Sequence, residues 1–403
     1  MNRCPVLRRL VPMTAFWLAA CQEPAAAAPA IDAPPLTLVR EDPSDAPIAG
    51  IEDALLARFE EGDARFELPF RDSQGLGPLY VHRSCASCHE DDGRGPGAVR
   101  RVAFLGDRAA RAARLPHGDV VRPRLAAGAA HALLAPEGDD VREELRLGPP
   151  IFARGYLEAV PDETIRGYAR AQSERDDGIH GRAHEVPRAS AVPLRDETPR
   201  LGRFGLKARI ASLEEFVADA LVSDMGLTSP LRPEEPSNPD GLADDLRPGV
   251  DVERDVVDLI TDYVRLLALP RRDADVEDAS ALFEAARCGV CHVPRVRTRR
   301  DHPVDALRGV EVSLYTDLLL HDMGEGLADG IPEHDATGSE WRTAPLIGLR
   351  FSQRFLHDGS ARTVAEAIAA HASEGSEAND SVRRFDALAP RDRARLVAWV
   401  EAL

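Results

Sequence analysis

Apolar positions recur at the helical period most clearly between Asp251 and Pro270. Val252, Val256, Leu259, Ile260, Tyr263, Val264 and Leu267 fall on one face, the spacing of an amphipathic helix. Asp251 is placed to cap its start and Pro270 to stop it. Ile51 to Phe59 predicts an earlier helix, Asp278 to Ala286 a short one, and Asp392 to Leu403 a closing one with Leu396 and Trp399 turned inward. Thr363 can cap a further helix, with Glu366 completing a capping box. Val364, Ile368 and His371 then share one face. From about 100 to 250 the period dissolves among Pro, Gly and Asp, and residues 228–250 read as loop. No stretch reads as strand-rich, so the pattern predicts a mainly α chain with a long loop-rich middle.

The N-terminus departs from this pattern. Arg3, Arg8 and Arg9 precede an apolar run, Leu10 to Ala20, that is too short to span a bilayer. Leu18-Ala19-Ala20-Cys21 follows and resembles a lipobox. The expectation is a lipoprotein signal peptide at 1–20 and a flexible tether at 21–50, rich in Ala and Pro. Gln22, in place of Asp, favours the outer membrane under the bacterial sorting rule. Contact with membrane is then by lipid anchor alone, and the protein faces the periplasm.

The 403 residues carry a formal net charge of −18. That argues against a nucleic-acid partner, because phosphates need Lys and Arg, and suits a partner with a basic face. Only 5% of residues are aromatic, low for a chain of this length. A bulky prosthetic group in the core would account for the deficit.

The cysteines point to such a group. Cys4 leaves with the signal and Cys21 would take lipid. The other four form two C-x-x-C-H motifs, CASCH at Cys85–His89 and CGVCH at Cys288–His292. This motif attaches c-type haem. Two thiols three residues apart meet the two vinyl groups, and the adjacent histidine turns under the ring to ligate iron. A zinc site would need paired C-x-x-C motifs close in sequence, and these lie far apart. The expected cofactors are two covalently bound haems c, held by Cys85 and Cys88 and by Cys288 and Cys291, with His89 and His292 on the irons.

Sixth ligands are sparser. After signal cleavage Met225 and Met323 are the only methionines, both in Asp-Met-Gly. His371, on the apolar face of its helix, is the alternative for the second haem. For the first, His82, His117, His131, His180 and His184 remain open, as does a water-bound iron.

Several segments carry a resemblance. GRFGLKA (202–208), LEEF (213–216), SDMGLTSP (223–230), LLLHDMGEGLADG (318–330), EWRTAPLIGLR (340–350) and FLHDGSARTVAEAIAAH (355–371) are similar to the dihaem oxidoreductases related to bacterial dihaem cytochrome c peroxidases. The resemblance implies two cytochrome c-like domains, here 51–270 with a long loop-rich insertion, and 271–403. It implies a peroxide-reacting first haem and an electron-relaying second one. It places the second haem's distal ligand fourteen residues after His357, at His371. It places an acid/base at Asp224, before Met225. The relatives' removable distal His would fall at Leu105, so that ligand is missing here. Phe216 stands where they carry Gln, and Leu206 where they carry Trp. Ser352-Gln353-Arg354 replaces their Thr-x-Pro, which argues against the inter-haem calcium. The resulting expectation is a peroxidase-like oxidoreductase that takes electrons from a periplasmic donor, such as a small cytochrome or cupredoxin, and reduces a small oxidant such as hydrogen peroxide. The alternative is a dihaem electron-transfer cytochrome with no substrate site.

Overall fold

The helix at Asp53–Glu67 lies against the helix at Arg254–Leu266 so closely that Gly62 has no room for a side chain. A Cβ there would stand 2.2 Å from the Leu259 carbonyl oxygen and 2.8 Å from Tyr263 Cβ. Phe59 and Phe66 close over Tyr263, with ring centroids 5.1 and 5.2 Å away. These values come from a computed structural model. It describes residues 46–90, 97–126, 128–187, 200–242 and 248–403, together with Leu36, Leu38 and Val39. The expected signal peptide and Cys21 lie outside the described residues. Residues 33–403 form one unit.

The periodic segments became helices at shifted boundaries. The 254–266 helix buries Leu259, Ile260, Tyr263 and Val264 as its pattern requires. Asp251 does not cap it; Glu253 holds that position without a side-chain bond. The Asp251 carboxylate instead accepts from Thr228 N at 2.8 Å and Thr228 Oγ1 at 2.6 Å, closing the base of the 228–250 loop. Within the expected tether, Leu38–Val39 pair in parallel with Leu269–Pro270, and Ile48 is buried in the core.

The expectation of a mainly α fold is corrected. The described residues are only 34% helical and 15% strand. The longest ladder joins Ala98–Phe104 to Val141–Leu147, antiparallel from Ala98↔Leu147 to Phe104↔Val141. It lies in the middle region that reads as loop. Its strands, AVRRVAF and VREELRL, carry charges on their exposed positions and bury few side chains, so alternation is faint. Backbone pairing holds them, and a hydrophobic pattern cannot show that. A second ladder, Leu320–Asp322 with Glu340–Arg342, sets one wall of the site below.

Two apolar clusters form the core. The larger runs from Ile48 to Leu319 and includes Val296 to Val312. The smaller gathers Ala279, Phe283, Val364, Leu396 and Trp399. Helix Pro390–Glu401 supplies its lid, with Leu396 and Trp399 inward as the sequence predicts.

Candidate haem-binding sites

Helix Val364–Ala370 begins at Thr363, whose hydroxyl accepts from Glu366 N at 3.1 Å. Glu366 returns a bond to Arg362 N, one residue ahead of the capping-box position. His371 follows the last turn, and its Nδ1 donates to Ala367 O at 2.7 Å. Across the space below, helix Ser280–Ala285 leads into the turn at Cys288, where His292 N donates to Cys288 O at 2.9 Å. His292 Nδ1 donates to Tyr315 O at 3.1 Å. Each imidazole therefore spends Nδ1 on a carbonyl and keeps the Nε2 lone pair for a ligand position. Both line one cavity of about 280 Å³, together with Cys288, Cys291 and Met323. Burial, and after it the His371 ring, push the His292 pKa down to about 4. Burial lowers the His371 pKa as well.

The donor chemistry fits a haem better than a thiolate-bound metal. Cys85, Cys88, Cys288 and Cys291 are all free thiols. Burial pushes Cys85, Cys88 and Cys288 up to about 12 and raises Cys291. Each thiol pair is followed directly by a histidine, the donor set of thioether-attached haem, and among the described residues neither pair gathers the four ligands of a structural zinc. Cys291, Asp317 and His321 do converge. His321, however, is gripped by Asp317 at 3.0 Å and Glu377 at 2.7 Å. Burial opposes a charge on its ring, while the Cys291 sulfur, Asp317 and Glu377 raise its pKa well above the ordinary value.

The wall of the cavity is carried by the 340–342 strand. Trp341 stacks on His357 with centroids 3.9 Å apart and planes 18° from parallel. Its Nε1 donates to Leu327 O at 2.8 Å. The Lys207 ammonium lies 3.8 Å over its ring, a cation–π contact, and donates to the Thr337, Gly338 and Glu340 carbonyls. Lys207 is fully buried. Burial lowers its pKa to about 8 despite Asp329 at 3.6 Å. Leu206 also reaches this wall; Phe216 does not, and stacks on Phe204 instead.

The first motif makes the same turn, with His89 N donating to Cys85 O at 3.0 Å. Two glycines make room for it. A Cβ at Gly97 would stand 2.2 Å from Cys88 Cα, and one at Gly148 would stand 2.9 Å from His89 Cε1. Burial, then the Arg154 charge, push the His89 pKa down to about 4. Asp224 ends helix Leu213–Met225, which Gly226 terminates at φ 71°. The Asp224 carbonyl accepts from Val81 N at 2.6 Å, fixing it beside the segment that enters Cys85. The Asp224 charge is felt at both Cys85 and Cys88. The residue keeps some exposed surface, yet its carboxyl lies deep. Burial and then Asp219 raise its pKa to about 6, against the pull of Arg209, Arg122 and Arg101.

Four of the histidines left open for the first haem carry side-chain hydrogen bonds. His117 bonds Ser237, His131 bonds Asp240, His180 meets the Gln172 carbonyl, and His184 meets the Lys207 carbonyl. His82 N donates to Asp224 O at 3.4 Å. Met225 is buried in the larger core. The sequence reading missed His321, Trp341 and Arg342. Only the Glu340–Arg350 segment, quoted for its resemblance, offered a signal for the last two.

A family model described as di-haem oxidoreductase, putative peroxidase, matches residues 131–403. The chain belongs to that di-haem oxidoreductase family. The chain is similar to a solved structure of hydrazine synthase from Kuenenia stuttgartiensis, at 15% identity, TM-score 0.40 and 99% of each chain. It is also similar to the Y463M variant of the dihaem peroxidase BthA from Burkholderia thailandensis. That match has 17% identity and a TM-score of 0.34, over 84% of this chain and 77% of that one. No curated relative matches the chain.

Proposed function

We propose that this chain is a c-type dihaem, peroxidase-like oxidoreductase in which a small oxidant such as hydrogen peroxide is reduced at Cys85–His89, while electrons enter through Cys288–His292. The observation that carries this is the inequality of the two sites. His292 faces a second imidazole, His371, across one cavity. Beside Cys85 and Cys88 the structure offers a carboxyl, Asp224.

A haem at each site would supply electron transfer and, where the iron keeps an open position, a place for the oxidant. The thiols of Cys85, Cys88, Cys288 and Cys291 would form the thioethers, and His89, His292 and His371 would hold iron. Asp224 would take a proton from the arriving oxidant and return it to the leaving oxygen, a task suited to a carboxyl whose pKa is near neutral. Arg209, Arg122 and Arg101 keep that carboxyl from becoming permanently protonated. The donor would be a small periplasmic cytochrome or cupredoxin, and Cys21 would carry the lipid anchor.

The test is a spectrum of the oxidised protein followed by peroxide addition. One high-spin and one low-spin haem are expected, with the high-spin signal responding to peroxide. Two low-spin haems that ignore peroxide would leave an electron carrier instead.

A further inference from the structure

Three arginines stand in the wall of the cavity behind Cys288 and Cys291: Arg154, Arg287 and Arg342. Arg287 is matched by two carboxylates, Asp177 and Asp380. Arg154 donates Nε to Pro150 O at 2.7 Å, and its charge bears on His89.

Arg342 differs from both. It is 5% exposed. Its Nε donates to Gly205 O at 3.1 Å and its Nη1 to Thr343 O at 2.9 Å. Among the described residues no carboxylate lies within ion-pair distance of it, and Nη2 has no hydrogen-bond partner. The acid whose charge reaches it is Asp317, which is already committed to His321 at 3.0 Å and Gln172 at 2.9 Å. Burial pushes the Arg342 pKa down to about 10, and Asp317 only partly restores it.

A buried guanidinium without a counter-charge is costly. This one cannot relieve the cost by swinging away. Its backbone is fixed in the 340–342 ladder, with Arg342 N donating to Leu206 O at 2.9 Å, and two carbonyls hold the fork. What remains is Nη2, on a residue of the cavity wall. A planar carboxylate is the anion such a fork prefers.

We propose that Arg342 is a carboxylate-binding residue, and that its partner is a propionate of the haem carried by Cys288 and Cys291. The inference rests on the haem reading above and adds which side chain neutralises that group. A cation on the propionate opposes its negative charge, so it favours the reduced iron and keeps the propionate ionised at neutral pH.

The test uses the purified holoprotein with Arg342→Met and Arg342→Lys. Haem is counted by pyridine haemochromogen, the propionate bands are read by resonance Raman, and each haem's midpoint is measured between pH 5 and 9. The expected result for Arg342→Met is two haems, a shifted propionate band, and a lowered second-haem midpoint that gains a pH dependence near neutrality. The first haem's midpoint stays unchanged. Arg342→Lys keeps the charge but loses the fork, so its band shifts while its midpoint moves less. If Arg342→Met does not fold, an unshifted band in Arg342→Lys still overturns the proposal. An unchanged second-haem band and midpoint in Arg342→Met would show Arg342 to be only a tie to the Gly205 and Thr343 carbonyls. A wild-type protein lacking haem on Cys288 and Cys291 would overturn the haem reading itself, and this inference with it.

Discussion

His292 and His371 face the same cavity from opposite elements, each holding a backbone carbonyl with Nδ1 and each leaving Nε2 unspent. A pair so arranged closes an iron on both sides. His371→Ala should convert the second haem from low to high spin and leave the first haem's signal untouched, as read by electron paramagnetic resonance. His371→Met should keep it low-spin and raise its midpoint, since thioether ligation raises haem potentials. A second-haem low-spin signal that survives His371→Ala would point to Met323, the other candidate in that wall.

Asp224 sets a pH prediction. With its pKa raised to about 6, it must be ionised to accept a proton, so turnover should fall as pH drops through about 6. Asp224→Asn should remove that limb and slow turnover by about 10²- to 10⁴-fold, the usual worth of an acid/base group. Persistence of the limb in Asp224→Asn would assign it to another residue.

Gly148 offers a selective way to disturb one haem. A methyl at this position would stand 2.9 Å from His89 Cε1, so Gly148→Ala must displace the imidazole. Overpacking of this kind costs about 1–3 kcal/mol. The absorption and spin state of the first haem should change while those of the second stay fixed.

Acid should loosen the protein through Glu333. Arg146 at 2.5 Å and Arg101 at 2.7 Å hold its buried carboxylate. These arginines outweigh the burial that opposes charge, and its pKa falls to about 2. A carboxyl depressed in the folded state stabilises it above the unfolded value. That stability, on the order of 3 kcal/mol, is lost as pH falls from about 4.5 through about 2. Glu333→Gln should therefore destabilise the protein at pH 7 in urea melts, by roughly 3–5 kcal/mol for a broken buried pair. The gap from wild type should narrow towards pH 2.

The site was more legible in the sequence than the fold. C-x-x-C-H writes its chemistry into adjacent residues, and His371 sits on a helical face that periodicity reveals. The 98–104 and 141–147 strands are joined by backbone bonds between segments far apart, and their charged side chains hide the alternation. Asp251 looked like a cap because sequence shows only its neighbour in the chain, whereas its partner, Thr228, lies across a loop. Arg342 was invisible for the same reason. An arginine in sequence is a surface residue by default, and only its enclosure shows that it lacks a counter-ion.

Lys207 is the single lysine of the 403 residues, and it is fully buried beneath Trp341. Succinimidyl esters and amine cross-linkers should thus find no side chain to modify on the described surface of the folded protein. Trypsin meets it as an arginine-only substrate. The hidden ammonium becomes available when the 340–342 wall opens, so a label at Lys207, read by peptide mapping, would time that opening.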